Sequence, residues 1–379
     1  MDSTTEQVAQ NGTPVFLDSE FRYVAFPVVY SIIFILGIIA NLYVLFVLRC
    51  LRESKAMGEI RIYMTNLTIA DLLFVCALPF WIDYYRRRGH WIYTDFMCRV
   101  TGTLFFINTY CSILFLGAIS INRYWAVSRP LDVATSDHRS RGIIVSVVIW
   151  LLTLAISITF LVYPGTNTDD NNVTRCFEGY HNNTDSGKRV VFAFNLAIVA
   201  GFFLVFFVVV VCNFLIAQVL LSKSPLQSSK VRSATVTSRK SQRAVSFSSK
   251  KPKGVKRRAL QMLLSVVGVF VVCFLPHHVV QCFWTLAVLQ IETDYGHVDW
   301  TPNTRQALND AHQITLILMS LNCILDPVVY FFATKKFKGF IVAHIKKIAK
   351  GEGCSRTLTT EMSVHSQRLQ SEHQEPEKN

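Results

Sequence analysis

The sequence predicts an all-α membrane protein, a bundle of seven transmembrane helices followed by a short amphipathic eighth helix. Three observations carry that expectation. Seven apolar stretches each reach the roughly 20 residues that a helix needs to cross about 30 Å of hydrocarbon. Only 17% of the 379 residues are charged while 51% are hydrophobic, against about 25% charged in soluble domains; the mean hydropathy is +0.34. The positive charge is also lopsided, with 29 of the 38 Lys and Arg in the connections on one side of the predicted bundle and in the tail. The net charge of +13 therefore reads as topology and not as a nucleic-acid surface. By the positive-inside bias the N-terminus lies outside, as expected of a multi-pass protein of the plasma membrane.

Residues 1–22 are polar and acidic, without the charged-then-apolar order of a cleavable signal. They form the outer N-terminus, and span one (23–49) serves as the anchor. Spans two (59–86), three (95–128) and seven (304–332) are the least apolar. They carry Asn66, Asp71, Asn108, Ser112, Asn309, Asp310, Asn322 and Asp326, which are costly against lipid and must turn into the bundle 23–332. Spans four (139–162), five (188–222) and six (255–290) are longer or greasier than the minimum, so tilt or projection beyond the lipid is expected. No internal repeat of the transporter kind is visible.

The inner connection 223–254 is rich in Ser, Thr, Lys and Arg and reads as a mobile loop; the tail 351–379 reads as disordered. Within 333–350, Phe337, Phe340, Ile341, Ile345 and Ile348 recur at helical spacing among Lys335, Lys336, Lys338, Lys346 and Lys347. That pattern fits a basic amphipathic helix on the inner leaflet lipid. Cys354 beyond it is a candidate for palmitoylation. The sequons at Asn11, Asn172 and Asn182 fall in outer segments and are candidates for glycosylation.

Six fragments occur in order: Gly37-x-x-Ala40-Asn41, Leu67-x-x-Ala70-Asp71, Asn122-Arg123-Tyr124, Trp150, Cys273-Phe274-Leu275-Pro276 and Asp326-Pro327-Val328-Val329-Tyr330. Over about 23–350 the chain resembles the rhodopsin-like (class A) G-protein-coupled receptors. Asp18 to Tyr23, Phe106 to Ser112, Asn172 to Glu178, Val255 to Leu260, Pro276 to Gln281 and Asn309 to Gln313 are similar to the platelet-activating-factor branch of that family. The resemblance implies a receptor for that phospholipid, acting in chemotaxis and the inflammatory response, that signals to a heterotrimeric G protein. Receptor kinases and arrestin are then partners of the Ser/Thr-rich tail. It also implies a Cys98–Cys176 disulfide, which would pin an outer loop over the bundle mouth in an oxidising compartment.

Asp71 and Asp326 are the deepest acids, and two buried carboxylates cannot both stay ionised without a counter-charge. A sodium ion held with Asn108, Ser112 and Asn322 resolves the conflict, as the resemblance implies. One shared proton resolves it too, and a plain hydrogen-bonded network is the third reading. No other cofactor is expected. Arg123 is expected to hold the resting state and then meet the G protein. Asn122 precedes it where most of the family has an acid, so the usual acid–Arg restraint is missing. Phe274 replaces the common Trp, and Pro276 supplies a kink in span six. With Tyr124, Pro327 and Tyr330 these form the switch that the resemblance implies.

Phe105 and Phe106 stand where amine receptors place an acid, which argues against a biogenic amine. His277 and His278 point about 100° apart, unlike a helical metal pair. The resemblance assigns the phosphocholine headgroup to Trp81, Phe105, Phe106, Glu178, Tyr180, His277, His278, Gln281, Gln313 and Thr315. A choline favours aromatic faces and an acid, here Glu178, and a phosphate wants donors such as His and Gln. Asn195 replaces a His of that branch. A receptor for another lipid or a peptide is the alternative. A transporter or channel would need a continuous polar path, and Phe105, Phe106, Phe270 and Phe274 plug the core. An enzyme is disfavoured, because the His clusters lack a placed nucleophile or a chelating spacing.

Overall fold

The computed structural model describes residues 17–50, 58–129, 137–168, 172–178, 185–222, 253–291, 294, 297–333 and 335–349. The elements are α1 Glu20–Cys50, α2 Gly58–Arg86, α3 Asp95–Ser128, α4 His138–Val162, β1 Thr166–Thr168, β2 Thr174–Cys176, α5 Asp185–Ser222, α6 Lys253–Val269, α7 Leu275–Leu289, α8 Pro302–Ser320, α9 Asn322–Ala333 and α10 Lys335–Ala349. Span six consists of α6, a π turn at Phe270–Phe274 and α7; span seven consists of α8 and α9. Among the described residues, seven helices are long and apolar enough to cross a membrane. The end of the bundle carrying Glu20, Asp95 and Leu289 is termed upper, and the opposite end lower.

The polar residues of spans two, three and seven point inward, as lipid requires. Asp71, Asn108, Ser112, Asn322 and Asp326 are all at most 1% exposed. In the most apolar window of α3, 67% of residues are buried, against 22% in α4 and in α5, so α3 is the axial helix and the other two face lipid. Trp150 Nε1 donates to Asn66 Oδ1 at 3.0 Å, joining α4 to α2. At the lower end Arg141 grips Glu59 through two bonds of 3.0 and 2.8 Å, and the Tyr63 hydroxyl donates to the same carboxylate at 3.0 Å. Side-chain caps open α3 at Thr94, α4 at Asp137 and α8 at Thr301, each satisfying backbone N–H groups that the first turn leaves free.

Two prolines explain two irregularities. Pro276 has no N–H and its ring would crowd the carbonyl one turn earlier. Span six widens just before it, with Leu275 N–H donating to Phe270 O across the π turn, so the expected kink is delivered as an inserted residue. Pro327 likewise leaves the Cys323 carbonyl without its helical donor. Asn41 Nδ2 of α1 fills that vacancy at 2.8 Å and also bonds Gly37 O at 3.0 Å. A Cβ on Gly37 would lie 2.9 Å from Val75 Cγ2, so glycine is needed where α1 meets α2. Span seven also breaks at Leu321, whose N–H bonds Leu318 O at 3.2 Å.

The predicted spans match these helices to within a few residues. The connection before Lys253, Cys354 and the tail lie outside the described residues. Lys335–Ala349, a unit separate from the bundle, forms α10, the expected eighth helix, with Phe340 and His344 stacked 6.0 Å apart.

Candidate functional site

A short hairpin covers the upper end. β1 and β2 pair antiparallel with Thr166 opposite Cys176, and Cys98 of α3 is bonded to Cys176. Asp95, also in the first turn of α3, accepts from Gly165 N and Thr166 N at 2.8 and 2.9 Å. Trp91 N donates to Thr174 O at 2.7 Å. Phe177 then takes a left-handed conformation, φ 54°, which aims its ring over Gly102, where any Cβ would overlap it.

Glu178 follows directly, and its carboxylate is already engaged. Arg22, at the start of α1, is ion-paired to it, and the Tyr84 hydroxyl donates to Oε1 at 2.8 Å. Arg22 is 1% exposed, and its guanidinium also lies 5.4 Å from the ring centre of Tyr85. The residues around Arg22 form a strap across the upper end. Asn309 Nδ2 donates to Leu17 O at 3.2 Å, Gln306 Nε2 to Ser19 Oγ at 2.7 Å, and Ser19 Oγ to Asp310 at 2.5 Å. Arg88, in the turn that follows α2, pairs with Glu20 at 2.7 Å.

Below lies an aromatic wall and then a polar layer. Trp81 stands among Tyr84, Tyr85 and Trp91 at centroid distances of 5.7 to 6.3 Å. Phe105 meets Phe74 at 5.5 Å and Phe106 meets Tyr110 at 4.3 Å. His278 stacks on Phe202 at 3.8 Å, with Phe274 O 2.8 Å and the Tyr110 hydroxyl 3.3 Å from its nitrogens. His277 lies 3.3 Å from Thr315 Oγ1. Gln281 Nε2 donates to Asn195 Oδ1 at 2.9 Å, and its Oε1 is 2.7 Å from His312 Nε2. Gln313 Oε1 is buried with no hydrogen-bond partner among the described residues. These groups offer donors and acceptors to a polar headgroup in a place that water reaches poorly.

Deeper still, Asp71 Oδ1 accepts from Asn108 Nδ2 at 2.8 Å, and Asn322 Nδ2 donates to Ser112 Oγ at 3.0 Å. Asp71 Oδ2, Asn322 Oδ1 and both Asp326 carboxylate oxygens are buried without a hydrogen-bond partner among the described residues. Orphaned oxygens clustered beside two acids are the donor set a hard cation takes, so the residues present fit a sodium ion.

Among the remaining sequence-predicted residues, Phe274 reaches this site through its carbonyl, 2.8 Å from His278 Nδ1. Asn122, Arg123 and Tyr124 are half-buried at the lower end of α3, and Tyr330 is buried on α9. Phe274 meets Phe270 at 5.6 Å, and Pro276 sits in the first turn of α7. Asn172 is exposed on the hairpin turn; Asn11, Asn182 and Tyr180 lie outside the described residues. Sequence reasoning missed Arg22, Tyr84, Tyr110 and His312 as members of the site. His312 was recoverable, since it precedes Thr315 by three residues and so shares its helix face. Arg22 gave a weaker signal, a lone cation at the head of an apolar span.

The model of the 7 transmembrane receptor (rhodopsin family) matches residues 40–330. Platelet-activating factor receptors are similar over nearly the whole chain. That of Cavia porcellus is 46% identical over 356 residues, 92% of this chain and 94% of its own length. That of Homo sapiens is 46% identical over 348 residues, 90% and 92% of the two chains. The lysophosphatidic acid receptor 4 of Homo sapiens is 32% identical over 87% of this chain and 80% of its own. Fold, buried polar core and sequence agree, and this multi-pass membrane protein belongs to the rhodopsin family of seven-transmembrane receptors.

Proposed function

We propose that the receptor binds platelet-activating factor from the outer side of the plasma membrane and passes the signal to a heterotrimeric G protein. The observation that carries this reading is the likeness to platelet-activating factor receptors across nine-tenths of both chains. The geometry supports it. A phosphate can take donors from His277, His278, Gln281 and Gln313, with Thr315 holding His277. A choline can lie on Trp81, Phe105 and Phe106 and reach Glu178 by sharing that carboxylate with Arg22. Ligand must favour the active arrangement over the resting one to shift the population, opening the lower end so that Arg123 and Tyr330 meet the G protein. Receptor kinases and arrestin would act on the tail, Asn172 would carry glycan, and α10 would lie on the inner leaflet.

Receptor in nanodiscs should bind radiolabelled platelet-activating factor, and cells expressing it should answer with calcium or cyclic-nucleotide changes. His278→Ala and Glu178→Ala should each weaken agonist affinity about tenfold or more, the worth of one hydrogen bond to a charged group. Unchanged affinity in both variants removes this headgroup assignment. Lysophosphatidic acid displacing the label with the higher affinity would move the ligand to that class.

Asp71, Asn108, Ser112, Asn322 and Asp326 would hold a sodium ion, whose charge lets both carboxylates stay ionised. Bound sodium braces the resting core, so agonist affinity should fall as sodium replaces potassium, and Asp71→Asn should abolish the dependence. An agonist affinity indifferent to sodium in the unaltered receptor would leave the shared proton as the answer.

A further inference from the structure

The polar layer is not sealed from the lipid. Between α5 and α7 lies a small cleft of about 90 Å³ whose walls include Leu196, Val199, Cys282 and Leu286, and whose polar members are Asn195, Gln281 and Thr285. A larger groove of about 460 Å³ continues from it along α5, over Phe192, Ala193, Leu196, Ala197 and Ala200, with Arg189 at its upper end. Leu196 and Phe192 belong to both. Asn195 and Gln281 are each half-buried, so this amide pair opens on the side of the bundle that faces hydrocarbon. It lies about two helical turns, roughly 10 Å, below Lys188 at the upper end of α5. Polar groups opening on hydrocarbon at that depth are expensive and mark a functional path. The path leads inward without a gap, from Asn195 to Gln281 at 2.9 Å and from Gln281 to His312 at 2.7 Å, with Trp284 stacked on His312 at 4.1 Å.

The upper end offers the opposite picture. The strap ties Leu17 and Ser19 to α8, Arg22 to Glu178 of the loop and Glu20 to Arg88 in the turn after α2, while the disulfide holds the hairpin on α3. A single-chain phospholipid partitions into the bilayer, so its natural supply is the outer leaflet. We propose that the cleft between α5 and α7 is the port by which such a phospholipid passes from the outer leaflet into the polar layer, with the Asn195–Gln281 hydrogen bond as its inner latch. The small side chains Ala193, Ala197 and Ala200 leave the width that a hydrocarbon chain needs, and the amides give the phosphate successive partners as the headgroup crosses. This inference rests on the phospholipid reading above.

The test measures association and dissociation of radiolabelled platelet-activating factor with receptor in phosphatidylcholine nanodiscs. Leu286→Trp and Ala197→Trp narrow the port without touching the headgroup residues. Both rates should fall together by about tenfold or more, with Kd nearly unchanged, because a barrier slows both directions equally. Leu196→Ala, which widens the same cleft, should quicken both, so the proposal stays testable if the Trp variants fold poorly. Gln306→Ala, which loosens the strap, should leave both rates alone. Unaltered rates in the Leu286, Ala197 and Leu196 variants would make the groove ordinary lipid-facing surface, and faster association in the Gln306 variant would place the route through water. If the unaltered receptor binds no platelet-activating factor, the functional reading itself fails, a result distinct from normal binding with unaltered rates.

Discussion

Receptor carrying Cys98→Ser or Cys176→Ser is expected to lose high-affinity ligand binding and most of its cell-surface expression. The bond closes a loop of 78 residues, and a cross-link of that span removes enough freedom from the unfolded chain to stabilise the fold by about 4 kcal/mol in the chain-entropy picture. The local consequences add to it. Cys176 ends β2, so releasing it frees the register with β1, the Phe177 ring over Gly102 and the carboxylate that follows. The double variant should behave as either single one does, since the bond is lost whole in all three. Thermal unfolding of purified receptor measures the stability, and saturation binding on intact cells measures the site. A single variant melting at the unaltered temperature would contradict the expectation.

The second large effect is expected at the Arg22–Glu178 pair, and it should be asymmetric. Arg22 is 1% exposed and Glu178 is 20% exposed. Glu178→Ala leaves the buried guanidinium with only its longer ion pair to Asp18, at 3.6 Å; losing the closer partner of a buried charge costs up to about 3 kcal/mol. Arg22→Ala leaves an acid that still touches water and keeps the Tyr84 hydroxyl, so it should cost less. Arg22→Met combined with Glu178→Leu should recover most of the loss, because an apolar pair of similar volume replaces a desolvated ionic one. Melting temperatures of the three variants decide it, and Arg22→Ala proving the more damaging single change would refute the account. The same pair revises the simplest view of the headgroup site. Glu178 is not a vacant anion awaiting a choline, since the protein's own cation occupies it.

The bundle was legible in the sequence because hydrocarbon imposes a coarse rule. Twenty apolar residues make a span, and a polar side chain within one must find the interior, so Asp71, Ser112 and Asp326 could be placed before any coordinates. The Cys98–Cys176 bond was legible only through family likeness. What stayed hidden depends on single contacts. Nothing in Leu17 to Arg22 announces a strap, because its bonds run to Gln306, Asn309 and Glu178, far along the chain. Pro276 foretold a disturbance in span six but not its form, since a proline is accommodated by a bend or by a widened turn. The donor filling the Cys323 carbonyl was equally invisible, as Asn41 reaches it from another helix. Pairings at this range follow from tertiary geometry that composition and spacing do not encode.

The widened turn at Phe270–Phe274 means that the two halves of span six keep separate angular phases. One surplus residue rotates everything beyond it by about 100° relative to an unbroken helix. Met262, Leu263 and Val266 below it and His277 and His278 above it all face inward. The greasy stripe that seals the lower half and the imidazoles that serve the upper half can therefore be set independently. Tightening the turn to ordinary helical pitch with every residue kept would swing the upper set about 100° away, whereas deleting the one surplus residue should restore the pitch and leave both sets facing inward.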